Sequence, residues 1–333
     1  LGGSISKQHQ LGALIADFAG LRGTEAFRVE AADASGGIAL RQGYLMVASG
    51  AAQTVMVLGV EKVTDSVGSE RGASMLTFTD SEYEASQGAT PVSLAALLMR
   101  RYMYEYGVDL SKFAGFSVNA HANGSKNPNA MYRNLIKADR FAGAPMVAEP
   151  VSLFDMAPEA DGAAAIILTT ATSAADRVPN PIRILASAVG TDTVALHDRA
   201  DLLYLSAANL SAGRAYEQSG LLPANINVLE LHDSTTILST LALEASGFAE
   251  RGQGWRVAAE GQLGLTGKLP ISTFGGLKSR GNPFGATGVY QAVEVALQLR
   301  GQAGANQVPN AQVGMTQNIG GLGGTVVTHI FGR

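Results

Sequence analysis

Two segments of this chain run through the same order of parts, and that order limits the folds open to it. In the first, a strand-like run at residues 27–31 meets the small-residue turn Asp33-Ala34-Ser35-Gly36-Gly37, then a helix at 38–48, then a strand at 54–60. In the second, residues 269–273 lead into a glycine-rich loop, a helix at 287–299 and a strand around 313–317. The repeated order of strand, glycine turn, helix and strand points to an internal duplication. The helix at 287–299 carries apolar residues on all sides, Val289, Ala292, Val293 and Val295 among them, which predicts burial, and the same is expected of 38–48. Buried helices flanked by strands imply layered α/β architecture with sheets covered on both faces.

Further strands are expected at 163–168, 182–186, 226–231 and 325–330, with helices at 8–18, 203–218 and 236–246. Residues 61–150 differ in texture, with one clear helix at 94–106 and few strand signals, and read as an insertion carried by the first half. The stretch 177–181, with Pro179 and Pro181, is the best linker. The expected division is a first half at 1–175, with its insertion at about 62–150, and a second half at 176–333.

With 46% hydrophobic and 16% charged residues, the 333-residue chain can bury a large core. A net charge of -4, with no block of five like charges, argues against a nucleic-acid partner and for small-molecule chemistry. The absence of Cys excludes disulfides, thiolate metal sites and thiol catalysis together. His9, His197 and His329 show no metal-binding spacing. Apolar runs such as 163–168 are too short to span a bilayer and no signal-peptide pattern opens the chain, so a cytoplasmic protein is expected. The opening Leu1-Gly2-Gly3-Ser4, without Met and leading into a helix-like run, reads as a start partway into a longer protein.

The loop Gly275-Gly276-Leu277-Lys278-Ser279-Arg280-Gly281-Asn282-Pro283-Phe284-Gly285-Ala286-Thr287-Gly288 resembles the active-site loop and helix start of thiolases, with Asn282 where thiolases carry His. Val29-Glu30-Ala31-Ala32-Asp33-Ala34-Ser35-Gly36-Gly37 resembles their nucleophile segment, with Asp33 at the Cys position, and Leu58-Gly59-Val60-Glu61-Lys62-Val63-Thr64 resembles the segment that follows. His232-Asp233-Ser234-Thr235 is similar to the His-Asp-Cys-Phe loop of the archaeal and sterol-carrier-type branch, with Ser234 for Cys. Gln317-Asn318-Ile319-Gly320-Gly321 resembles the last catalytic loop, with Gln317 placed where this branch often has His and classical thiolases Cys. The resemblance covers nearly the whole chain. It implies the thiolase fold: two similar α/β halves in a five-layered α-β-α-β-α arrangement plus a loop domain. It also implies a homodimer and acyl-CoA substrates bound under the loop domain, with no intrinsic cofactor. By the same comparison, the first strand and helix of the first half are missing from this sequence.

Thiolase chemistry needs a nucleophile to carry the acyl group and an acid/base to move protons at the α carbon. Neither familiar group is present. A carboxylate such as Asp33 attacking a thioester would give a less stable mixed anhydride. As a helix N-cap, Asp33 would contribute about 0.5–2 kcal/mol; as a functional group it would feel the helix N-terminus favouring the anion and burial opposing it. Asn282 offers hydrogen bonds without titrating and is a candidate oxyanion donor, or else a turn residue before Pro283.

His232 is the strongest catalytic candidate, since an imidazole titrates near neutral pH; the alternative is a satisfied core His. Asp233 either orients that ring or caps the helix starting near Thr236, and Ser234 lacks an activating partner. Gln317, Asn318 and Gly320 are placed to bind substrate or an oxyanion through the glycine turn. His121 is a candidate for the acyl pocket, and Lys126, Arg133 and Lys137 for the CoA phosphates, with solvated loop and surface charge as the plain alternatives. The reaction expected is an aldol or retro-aldol step on an acyl-CoA, as in thiolase-like aldolases that work with a small OB-fold, zinc-ribbon partner. A CoA-binding scaffold, favoured by the four altered positions Asp33, Ser234, Asn282 and Gln317, and an ordinary acetyl-CoA acetyltransferase are the alternatives.

Overall fold

The computed structural model describes residues 8–66 and 68–333, so the opening Leu1-Gly2-Gly3-Ser4 lies outside the described residues. The helices are α1 (Leu11–Phe18), α2 (Ser35–Ala48), α3 (Ser69–Leu76), α4 (Pro91–Tyr106), α5 (Ala114–Gly124), α6 (Ala138–Phe141), α7 (Ala171–Ala175), α8 (Ser206–Ser219), α9 (Thr236–Ala245), α10 (Gly254–Ala259), α11 (Gly276–Arg280) and α12 (Thr287–Arg300). The strands are β1 (Thr54–Glu61), β2 (Met146–Ala148), β3 (Val151–Ser152), β4 (Gly162–Thr169), β5 (Arg183–Thr191), β6 (Val228–Glu230), β7 (Val313–Gly320) and β8 (Thr325–Gly332). None of these helices is long and apolar enough to cross a membrane.

Two sheets organise the molecule. β1 and β4 pair antiparallel, from Thr54 opposite Thr169 to Glu61 opposite Gly162. The second sheet has the order β5-β8-β7-β6, with only β6 and β7 parallel. Helices α2 and α12 pack on each other between the two sheets, and α8 covers the far face of the four-stranded one. The described residues thus supply four layers of the α-β-α-β-α arrangement. On the outer face of β1 and β4, Met56, Val60 and Ile167 remain 49%, 41% and 67% exposed.

The central helices meet through glycine. A Cβ on Gly36 would lie 2.8 Å from the Gly285 carbonyl oxygen, and one on Gly288 would overlap the Gly37 nitrogen and Asn318 Oδ1. Only residues without a side chain allow that approach. α12 is buried along most of its length, as its all-round apolar sequence predicts. The equal burial expected of α2 does not hold. Only Gly36, Gly37, Leu40 and Gly43 of α2 are buried, because one side of the helix borders a cavity of about 370 Å³ that it shares with β1 and residues 24–29.

Both strands expected before the glycine turns also fail to form. Around 27–31 the chain makes a single bridge, Ala31 to Asp33, which closes a turn rather than pairing two strands, and Phe27 is 53% exposed. At 269–273, one bridge joins Ile271 to Leu229; Pro270 has no N–H to donate, and Ser272 turns to a φ of 47° that ends extended backbone. The insertion holds more helix than the one expected, since α3, α5 and α6 join α4. The sequence of α5, AGFSVNAHANG, is a poor helix former, and the helix is supported by packing on α10 and α11. By contrast α4 carries its own signals: Thr90 accepts from Ser93 N, Pro91 is the first helical residue, and Gly107 stops the helix at a φ of 62°.

Candidate active site

The first turn of α2 places Asp33. Ser35 Oγ accepts from Ala31 N at 2.9 Å and donates to the Ala32 carbonyl at 2.6 Å, fixing the tight turn before the helix. Asp33 does not cap α2: the N-cap position is Ala34, and no side chain caps it. The carboxyl is buried, and its Oδ1 has no hydrogen-bond partner among the described residues. Burial pushes its pKa up to about 7, and the neighbouring Glu61 carboxyl adds to that rise, against the Gly321 N–H, which favours the anion. Asp33 is therefore poised to hold or release a proton near neutral pH.

Strand β7 supplies the next group. Asn318 Oδ1 accepts from Gly37 N at 3.1 Å, and Asn318 Nδ2 lies 3.3 Å from His232 Nδ1. His232 follows β6, is fully buried, and has no partner at Nε2 among the described residues. The expectation that its ring titrates near neutral pH is overturned. Burial, helped by the positive charge of Arg280, lowers its pKa to about 3, so the imidazole is neutral under ordinary conditions. His329 on β8 holds the same turn of α2 from the other side, with Nε2 at 3.1 Å from the Gly37 carbonyl.

The loop after α11 brings in Asn282. Its backbone N donates to Pro158 O at 2.8 Å and its carbonyl accepts from Ala160 N at 2.9 Å. Its Oδ1 accepts from Phe284 N and Thr287 Oγ1, the turn role weighed above, while Nδ2 makes no hydrogen bond among the described residues. Asp233 fills neither of its expected roles. Thr235 caps α9, accepting from Leu238 N, and Asp233 instead accepts from Leu277 N at 2.7 Å and Ser272 Oγ at 3.1 Å, steadying α11. Lys278 on α11 donates to the carbonyls of Leu153 and Met156, both at 2.8 Å, and burial lowers its pKa to about 8. The segment 153–160 thus straps the His232 loop and the Asn282 loop together, with Ala157 N on Ser234 O at 2.9 Å and Thr236 N on Asp155 O at 3.0 Å. Behind this lies a buried ion pair, Arg280 to Glu294 at 2.6 Å, with the Arg280 guanidinium over the Tyr290 ring.

Asp33, Asn318 and His232 are linked through the first turn of α2, and Asn282 sits on the loop that packs against that turn. Gly320 lies beneath Ala31 and Ala34, close enough that a Cβ would meet the Ala31 carbonyl at 2.6 Å. Gln317 points the other way. Strand alternation turns its side chain toward Ser246 Oγ, which accepts from Nε2 at 2.8 Å, so Asn318 rather than Gln317 faces the site. Ser234 is half-buried, and among the described residues its carbonyl, which accepts from Ala157 N, joins it to the site. His121 is buried in α5, stacked on Tyr132, with Nδ1 on the Asn134 carbonyl at 2.9 Å and Nε2 unpartnered among the described residues. Lys126, Arg133 and Lys137 are exposed and flank the exposed Met131, Tyr132 and Leu135. Sequence reasoning missed the roles of Glu61, Lys278, Arg280 and Glu294. A charged residue inside an otherwise small or apolar run was the signal available for Lys278 and Glu294.

Comparison with known proteins agrees over the length of the chain. A family model described as the thiolase N-terminal domain matches residues 6–172, and one described as thiolase C-terminal domain-like matches 188–333. An acetyl-CoA acetyltransferase of Methanothermobacter thermautotrophicus is 45% identical over 99% of this chain and 86% of its own. Sterol carrier protein 2 of Bos taurus is 30% identical over 94% of this chain and 60% of its own. Among solved structures, the Ltp2-ChsH2(DUF35) aldolase superposes with a TM-score of 0.80 at 26% identity, covering 91% of this chain and 78% of that one. Human mitochondrial 3-ketoacyl-CoA thiolase, with a TM-score of 0.70 at 15% identity over 98% of this chain and 84% of that one, shares the fold.

Proposed function

This chain belongs to the thiolase family, and on that premise we propose that it acts on an acyl-CoA thioester without passing through an acyl-enzyme. The observation that carries this reading is Asp33, a buried carboxyl with an oxygen unpartnered among the described residues and a pKa of about 7, seated where the resemblance places the family's nucleophile. A carboxyl so tuned is suited to proton transfer, whereas its attack on a thioester would lead to the less stable anhydride.

The reaction that fits is aldol or retro-aldol. In the cleavage direction, the Asp33 carboxylate takes the proton of a β-hydroxyl and the bond between the α and β carbons breaks. The β carbon leaves as a carbonyl compound, and the electron pair passes into the thioester as an enolate. The unpaired Asn282 Nδ2 and the neutral His232 ring are the hydrogen-bonding groups offered to the enolate oxygen, and Asp33 returns its proton to the α carbon. The CoA thioester is the substrate, with no cofactor required. Lys126, Arg133 and Lys137, on an exposed stretch beside His121, are assigned to the CoA phosphates, with His121 lining the acyl pocket. A homodimer in the cytoplasm, working with a small OB-fold, zinc-ribbon protein, completes the proposal. The aldolase among the similar structures includes a DUF35 component, which supports such a partner.

The test is to supply purified protein, with and without a DUF35 protein, with a panel of β-hydroxyacyl-CoAs and to separate the products by mass. Release of a shorter acyl-CoA and an aldehyde or ketone, with no acyl adduct in the intact-protein mass, is the expected result. An adduct formed from acetyl-CoA would replace this reading with the acetyltransferase activity of the methanogen relative. CoA binding by calorimetry without turnover of any substrate would replace it with a scaffold, a reading favoured by the engagement of Asn282 Oδ1 in its own turn.

A further inference from the structure

The contact between Asn318 and His232 carries information that neither residue holds alone. A backbone N–H can only donate, so the Asn318 atom facing Gly37 N at 3.1 Å is the carbonyl oxygen. That fixes the amide. Its Nδ2, which can only donate, then faces His232 Nδ1 at 3.3 Å, and Nδ1 must offer a lone pair. A ring with an unprotonated Nδ1 carries its proton on Nε2, and Nε2 is a buried atom with no hydrogen-bond partner among the described residues. A doubly protonated ring would set an Nδ1–H against the Asn318 NH2, so this contact opposes the cation as well.

We propose that Asn318 is a positioning residue: it reads the first turn of α2 through Gly37 and holds His232 as the Nε2–H tautomer, so that the neutral ring presents one donor to the oxygen of the bound thioester. The part concerning the substrate rests on the function proposed above. The tautomer does not, and it can be measured whether or not any CoA ester is turned over. Coupling the ring to Gly37 ties the donor to the first turn of α2, the turn that directly follows Asp33.

The chain has five His residues, which suits selective nitrogen-15 labelling and NMR of the imidazole nitrogens, with His232→Gln identifying the His232 signals. At neutral pH, His232 should show Nδ1 in the unprotonated range and Nε2 in the protonated range. In Asn318→Asp the carboxylate accepts from both sides, so Nδ1 should gain a proton. His329, whose Nε2 faces the Gly37 carbonyl, serves as an internal reference that should keep its pattern. A protonated Nδ1 in the parent protein, or an unchanged His232 pattern in Asn318→Asp, would overturn the assignment. If Asn318→Asp does not fold, the parent signals decide it alone.

Discussion

Asp33 costs the folded protein stability that its unfolded chain does not pay. Below about pH 4, the ordinary range of an aspartate, the side chain is protonated in both states and adds no penalty. As the pH rises toward the folded value of about 7, the unfolded chain releases its proton while the buried carboxyl keeps it, so stability falls across that window. Above it, the full penalty stands, on the order of a few kcal/mol. Asp33→Asn should therefore flatten the dependence of stability on pH between 4 and 7 and denature at higher urea than the parent at pH 8, with a smaller gap at pH 5. Urea titrations at the two pH values check this, and equal slopes for both proteins would show that Asp33 is not the group responsible. The same substitution should abolish any carbon-carbon cleavage, since an amide cannot take the proton.

At the scale of elements, the crossing of α2 and α12 is where sequence and geometry meet most tightly. Gly288→Ala places a methyl group against the Gly37 nitrogen and Asn318 Oδ1, so either the helices separate or the Gly37–Asn318 hydrogen bond breaks. Overpacking of this kind costs about 1–3 kcal/mol, and backbone on backbone leaves little room to relax. A lowered melting temperature together with a changed His232 nitrogen spectrum is expected; an unchanged spectrum would separate the helix crossing from the tautomer. The glycines, the turn motifs and the central helices were legible in the sequence because they follow from local patterns. The Asn318–His232 contact was not, since it depends on which end of an amide faces a backbone N–H that is 281 residues away along the chain. The failed strands at 27–31 and 269–273 show the reverse case. Their residues favour extended structure, but Pro270 and the turn at Asp33 leave too few backbone groups to pair. His232 misled for a related reason: residue type sets an unperturbed pKa, and only burial reveals that the ring stays neutral.

For the molecule as a whole, the sheet of β1 and β4 leaves one apolar face uncovered among the described residues. Met56 and Ile167 are register partners on that face, and Val60 extends the strip. Exposed apolar side chains grouped in this way are open to an apolar probe. The chain as given should bind the dye ANS there, and the double substitution Met56→Lys and Ile167→Lys should reduce the fluorescence by more than half without lowering the melting temperature. Equal dye binding would place the accessible apolar surface elsewhere. Another consequence belongs to the site as a unit. Peroxide and alkylating electrophiles inactivate enzymes by consuming a reactive thiolate, and this chain contains no Cys to consume. With Asp33 as the proton carrier proposed above, the site of this chain holds no thiolate for such agents to consume.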